Sequence, residues 1–206
     1  SNLFYFRQTA GPTIFGKGER MQEIRFHGRG GQGTVLASIS LAKAYFDAGY
    51  EVQTFPLFGV ERRGAPVEAF LRIDDRKILL RCNVYEPDHI VVMDNKLLAS
   101  IDVTRGLKPG GWILINAPQQ PDDMTPFAGF KVAWVDATGI ALQHRLGTRT
   151  SPIINTAMLG AFARTHGEPA MEHIEQAILK EVPIKQQENV MAARDAFDQL
   201  QRVERG

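Results

Sequence analysis

Apolar and polar positions along this chain of 206 residues switch between a period of two and a period near 3.6, and each switch marks an element. Residues 23–27 read as a short strand, followed by four glycines in six residues, Gly28, Gly30, Gly31 and Gly33. Over residues 34–46 the side chains Val35, Leu36, Ile39, Ala42 and Phe46 fall near helical spacing, and Gly49 is a natural stop. Residues 51–58 (EVQTFPLF) are β-branched and aromatic enough for a second strand, with Pro56 predicting that pairing ends there. Residues 67–73 alternate and residues 78–80 are apolar again, which predicts a hairpin or a strand pair at a sheet edge. The runs at 89–93 (HIVVM) and 112–116 (WILIN) are continuous, as expected of strands covered on both faces, and residues 131–135 form a further strand. Residues 138–145 predict a helix with Thr138 as N-cap, closed by Gly147. From Asn155 the pattern is helical in three pieces, 155–166, 170–182 and 184–202, divided by Gly167 and Pro183.

Strands alternating with helices call for an α/β fold: a three-layer, doubly wound, mainly parallel sheet with helices on both faces and a helical C-terminal third. Right-handed crossovers would then line the strand ends along one rim, where ligand contacts gather. Residues 21–206 read as one domain, without internal repeat or low-complexity tract. Residues 1–20, ahead of Met21, read as a leader or as an N-terminal arm that lies across a partner.

Composition narrows the function classes without choosing one. The hydrophobic fraction of 44% and charged fraction of 23% are ordinary, and a net charge of +1 supplies no global field for a nucleic acid or an anionic membrane. No apolar run reaches the ~18 residues of a membrane span. The single cysteine, Cys82, can form no internal disulfide and cannot by itself ligate an iron–sulfur cluster; it fits a reducing, cytoplasmic setting and reads as a small core residue. No histidines stand at metal-ligand spacing, since His166 and His173 are separated by Gly167 and Pro169, and no G-x-S-x-G elbow occurs. The chain carries no self-contained catalytic apparatus, so no catalytic or metal-binding residue is assigned.

The glycine stretch is where chemistry enters. Gly28, Gly30 and Gly33 satisfy G-x-G-x-x-G between a strand and a helix, aiming backbone N–H groups and a positive helix end at an anion. A dinucleotide site also wants an acidic side chain at the end of the second strand, but Glu51 opens that strand and its far end reads Thr54-Phe55-Pro56. Phosphate binding without ribose recognition is therefore favoured over an NAD or FAD site. Close packing of a strand, a turn and a helix with no ligand is the competing explanation of the glycines. Arg29 and Gln32 shift the balance, because a backbone-only turn requires neither and an arginine can grip a phosphate or a partner's carboxylate. The loop Phe58-Gly59-Val60-Glu61-Arg62-Arg63-Gly64-Ala65 puts two guanidinium groups and a carboxylate at the same rim, though adjacent loop arginines are commonly just solvated. His27 could carry a proton or touch a phosphate; a histidine at a strand end more often satisfies its hydrogen bonds locally.

Several segments, in order, resemble the gamma subunit or gamma domain of 2-oxoacid:acceptor oxidoreductases, the pyruvate:ferredoxin oxidoreductase group, over roughly residues 22–202. The similar stretches are Gly28-Arg29-Gly30-Gly31-Gln32-Gly33; Phe58 to Ala65, where Arg62 and Ala65 are mild departures; Pro87-Asp88; Asn155 with Met158-Leu159-Gly160; and Glu188-Asn189. The resemblance implies a subunit of a hetero-oligomer that oxidises a 2-oxoacid to an acyl-CoA and carbon dioxide, passing electrons to ferredoxin or a similar acceptor. It places thiamine diphosphate, magnesium and iron–sulfur clusters on partners, namely thiamine-binding alpha and beta subunits and a ferredoxin-like subunit, and implies a chain inactive alone. For this chain it implies a share in the coenzyme A site: amides of Gly30, Gly31 and Gly33, with Gln32, would face the diphosphate, and Arg62 or Arg63 would meet a phosphate or a neighbouring subunit. The candidate binding set is thus Gly28, Arg29, Gly30, Gly31, Gln32, Gly33, Thr34, Glu61, Arg62, Arg63 and Gly64. Two alternatives stay open: a non-catalytic assembly subunit without ligand, and an NAD-dependent oxidoreductase.

Overall fold

The computed structural model describes residues 4–6, 21–57 and 64–203, with backbone pairing alone for 4–6. In chain order the elements are β1 (Phe4–Phe6), β2 (Gln22–Arg29), α1 (Thr34–Asp47), β3 (Glu51–Leu57), β4 (Pro66–Asp74), β5 (His89–Val92), β6 (Trp112–Asn116), β7 (Lys131–Val135) and α2 (Ala137–Gln143). A two-residue ladder of β8 (Gly147–Thr148) and β9 (Ser151–Pro152) follows, then α3 (Asn155–His166), α4 (Met171–Glu181), α5 (Gln186–Gln199) and β10 (Gln201–Val203).

Eight strands form one sheet in the order β1-β3-β4-β2-β5-β6-β7-β10. At its centre β2, β5, β6 and β7 run parallel. Antiparallel pairs flank them: β4 joins β2 to β3, and β1 and β10 pair outermost. The continuous apolar runs of β5 and β6 have the two-sided burial their composition predicts, with Ile90, Val91, Val92, Ile113, Leu114 and Ile115 all at 1% exposure or less.

Among the described residues, α1 to α5 all contribute to one core on one sheet face, meeting Phe26, Leu71, Val91, Leu114 and Ala133. On the other face Ile90, Val92, Ile113, Ile115 and Val132 are covered by Val103, Leu107 and Phe127, with Leu98 and Ile101 packed alongside. The third layer is therefore made of loops and two short 3₁₀ helices, Asn95–Ala99 and Thr125–Phe127, because the connections after β5 and β6 are rich in Asp, Gly and Pro.

Several expectations need correction. Residues 78–80 form no strand: Ile78 is buried but Leu79 and Leu80 are exposed, and β4 pairs with β2 and β3 instead. The segment they occupy is tethered by side chains. The buried Arg72 guanidinium donates to Gln53 Oε1 (2.8 Å), Glu23 Oε1 (2.8 Å) and the carbonyls of Cys82 (2.9 Å) and Asn83 (3.4 Å), while Gln53 Nε2 donates to the Leu80 carbonyl (2.8 Å). Cys82 is exposed on that segment, not a core residue. Pairing of β3 with β4 runs through Pro56, which lies beyond the 52–54 stretch that β1 covers, so among the described residues no second strand calls on its missing donor. Asp136, not Thr138, caps α2, accepting from Gly139 N at 2.8 Å; Thr138 is instead tied to Asn116. The last helix stops at Gln199, and residues 201–203 extend as β10 along β7.

Candidate functional site

The carboxyl end of β2 turns into α1 with almost no clearance. A Cβ on Gly28 would overlap the Thr34 hydroxyl, so only glycine lets the strand pass under the first residue of the helix. The turn is clasped to the start of β4: Gly30 N donates to the Ala65 carbonyl at 2.9 Å, and Gly64 N donates to the Gly30 carbonyl at 3.2 Å.

Arg29 and Gln32 serve the loop itself. Gln32 Oε1 accepts from Arg29 N at 2.9 Å, and its Nε2 donates to Asp94 Oδ2, also at 2.9 Å. Arg29 Nε donates to the same carboxylate oxygen at 3.0 Å. The other oxygen of Asp94 accepts from Lys96 N at 3.0 Å and so caps the 3₁₀ helix after β5. Asp94 is thus the keystone of the rim, and sequence reasoning left it out; the available signal was an acidic residue ending a buried strand at the rim.

Of the predicted set, Gly30, Arg29 and Gln32 have their polar groups engaged within the chain, whereas Gly31, Gly33 and Thr34 stand differently. Gly31 is exposed and has φ of +89°, and a Cβ added there would have no neighbour within 4 Å. Gly33, at φ 77°, precedes α1 without any side-chain cap, and the first turn of that helix holds no acidic residue. Thr34 is buried and its hydroxyl oxygen has no hydrogen-bond partner. Glu61, Arg62 and Arg63 lie outside the described residues; Gly64 adjoins the loop with φ of +84°.

A second helix end comes to the same place. Asn155 opens α3, a Cβ on Gly33 would stand 3.7 Å from its Nδ2, and its Oδ1 is buried without a partner. α3 also lacks a side-chain cap and an acidic first turn, in contrast to the Asp136-capped α2. Two N-termini without side-chain caps therefore converge, each with the positive end of a helix dipole and with first-turn N–H groups that the helix itself does not use. Leu36 and Ile153, exposed at 59% and 48%, flank them. The residues fit an anion at Gly31 to Thr34 beside Asn155; Gly30 N–H and Gln32 are already spoken for.

His27 is 1% exposed, beneath this turn. Arg25 Nε donates to its Nε2 at 3.0 Å, and Nδ1 stands 3.5 Å from Glu68 Oε1. Burial first, and the Arg25 charge second, push its pKa down to about 3, so the imidazole is neutral at physiological pH. His27 is a local structural histidine that takes up no second proton near neutrality. Among the described residues no group of three His, Cys, Asp or Glu side chains is placed to hold a metal ion. The chemistry on offer is anion binding and surface contact.

Comparison with known proteins gives a consistent result. The family described as pyruvate ferredoxin/flavodoxin oxidoreductase matches residues 23–199. Pyruvate synthase subunit PorC of Methanocaldococcus jannaschii is 51% identical over 181 residues, 87% of this chain and 97% of that protein. The common gamma subunit of pyruvate/ketoisovalerate oxidoreductases from Thermococcus kodakarensis is 48% identical over 182 residues, 86% of this chain and 96% of that one. The crystal structure of pyruvate oxidoreductase subunit PORC from Thermotoga maritima superposes with a TM-score of 0.77 at 37% identity, covering 90% of this chain and all of that one.

Proposed function

The chain belongs to the pyruvate ferredoxin/flavodoxin oxidoreductase family, and we propose that, as a gamma subunit of such a 2-oxoacid oxidoreductase complex, it supplies one wall of the coenzyme A site. The observation that carries this reading is the meeting of two helix N-termini without side-chain caps beside the unpartnered Thr34 hydroxyl, a group that can donate to an anion. A diphosphate brought to Gly31, Gly33 and Thr34 would meet backbone amides at the start of α1 and two helix dipoles, the arrangement that binds phosphate elsewhere. In this reading Gly31 leaves the approach clear. Arg29, Gln32 and Asp94 hold the turn in shape without touching the ligand. Thiamine diphosphate, magnesium and iron–sulfur clusters would supply decarboxylation and electron transfer from partner subunits, and the coenzyme A thiol would receive the acyl group there. This chain binds and orients; it is expected to be inactive alone.

A second reading has its own support. Leu36 and Ile153 expose apolar surface beside the same helix ends, as a subunit seam would require. The two readings separate with Gly31→Asn in the assembled complex. Asparagine tolerates positive φ better than other side chains, and no described residue opposes a Cβ at this position. Weaker coenzyme A binding with assembly intact supports the ligand wall. Lost assembly supports the seam, and unchanged affinity with unchanged assembly removes the ligand role.

A further inference from the structure

A groove of about 840 Å³ opens on the sheet face away from the α-helices, between the loops that follow β5 and β6. Its floor is apolar, formed by Leu98, Ile101 and Phe127, and Pro118, Pro121 and Pro126 stiffen one wall. Asp102, Asp122 and Asp123 are among its lining residues, and no lysine or arginine lines it among the described residues. Two of these carboxylates are held ionised: hydrogen bonds from Thr104 keep Asp102 below the usual carboxylate range, and the Thr125 N–H does the same for Asp123. The charges of Arg105 and Arg25 offset part of the field at Asp102. An anionic ligand such as coenzyme A would meet repulsion here, so the groove and the glycine rim select opposite charges.

We propose that this groove docks an extended segment of a partner subunit that presents apolar side chains to the floor and lysine or arginine to the three aspartates. The inference rests on the reading of the chain as a complex subunit. Charge complementarity chooses the occupant: an apolar floor alone would accept many segments, and the acidic edge admits cationic ones while rejecting acidic ones. The wall prolines lower the ordering cost of binding, because little of the groove must be immobilised when it is filled.

The test is the binding of this chain to its partner subunits, wild type against an Asp102→Asn/Asp122→Asn/Asp123→Asn variant, over a range of salt. The isosteric amides keep an acceptor for Thr104 and Thr125, and circular dichroism checks that the variant folds. The expected result is affinity about tenfold lower at low salt and a flatter salt dependence. Equal affinity and equal salt dependence would overturn the proposal while leaving the coenzyme A wall intact; failure of the wild type to assemble would overturn both. A second measurement does not depend on that variant: Ser100→Cys in a Cys82→Ser background, carrying a benzophenone, is photo-crosslinked in the assembled complex. Capture of a partner peptide bearing lysine or arginine supports the inference; capture of a second copy of this chain, of a peptide lacking both, or of nothing overturns it.

Discussion

Removing the Asp94 carboxylate should loosen the glycine turn far more than its position on the rim suggests. Three donors converge on it: Arg29 Nε and Gln32 Nε2 on one oxygen, and Lys96 N on the other. Loss of the helix cap costs about 0.5–2 kcal/mol, and hydrogen bonds to a charged group contribute about 1.5–3 kcal/mol each. Side-chain exposure of 31% for Arg29 and 13% for Asp94 lets water recover part of this. Asp94→Ala should therefore cost about 2–3 kcal/mol in urea unfolding. Asp94→Asn keeps one acceptor oxygen and must turn its NH₂ toward either Lys96 N or the Arg29 and Gln32 donors, so it should cost roughly 1 kcal/mol. Hydrogen exchange at residues 29–34 should quicken in the same order. An alanine variant within ~0.5 kcal/mol of wild type, with unchanged exchange in the turn, would refute the keystone role, because that is the scatter of ordinary surface substitutions.

Gly160→Ala should destabilise by about 1–3 kcal/mol on thermal or urea unfolding, although alanine is the better helix former by about 1 kcal/mol, because the new Cβ would overlap the backbone of Ala193 where α3 meets α5. Stability should also fall as pH drops. Burial pushes the pKa of His27 down to about 3 and that of His89 to about 4, so below about 6.5 the unfolded chain binds protons that the native chain does not. The expected loss is up to about 1.4 kcal/mol per pH unit for the fully buried His27, between pH 6.5 and about 3, and His27→Gln should make that limb shallower in denaturant titrations at stepped pH. Arg72→Met should cost about 3–5 kcal/mol by stranding Glu23 and freeing the carbonyls of Cys82 and Asn83; Cys82 should then react faster with a thiol reagent as its segment detaches.

Elements whose signal is local were legible in the sequence. α1 and α3 begin where the glycine run and Asn155 put them, and β5, β6 and β7 fall on their apolar runs. Legibility failed where a distant partner decides. Residues 201–203 look like the tail of an amphipathic helix until β7 offers an open edge. Residues 78–80 have a strand's composition, but their segment is fixed by side chains, with Gln53 satisfying the Leu80 carbonyl and Arg72 the Cys82 carbonyl. Thr138 is a good cap in isolation and loses to Asp136, two residues earlier. At the site, Arg29 and Gln32 stood out as residues a plain turn does not need. Their partner lies 65 and 62 residues away at the end of another strand, so their use as internal braces was invisible without the sheet order. The pairing of Asn155 with Gly33 was hidden for the same reason.

The decisive experiment is reconstitution of the complex from its separate subunits with and without this chain, followed by coenzyme A titration of 2-oxoacid-dependent ferredoxin reduction. The predicted result is that the chain assembles stoichiometrically and that its omission abolishes coenzyme A-dependent turnover. Full turnover with the same coenzyme A dependence in its absence would contradict a role for this chain in the coenzyme A site.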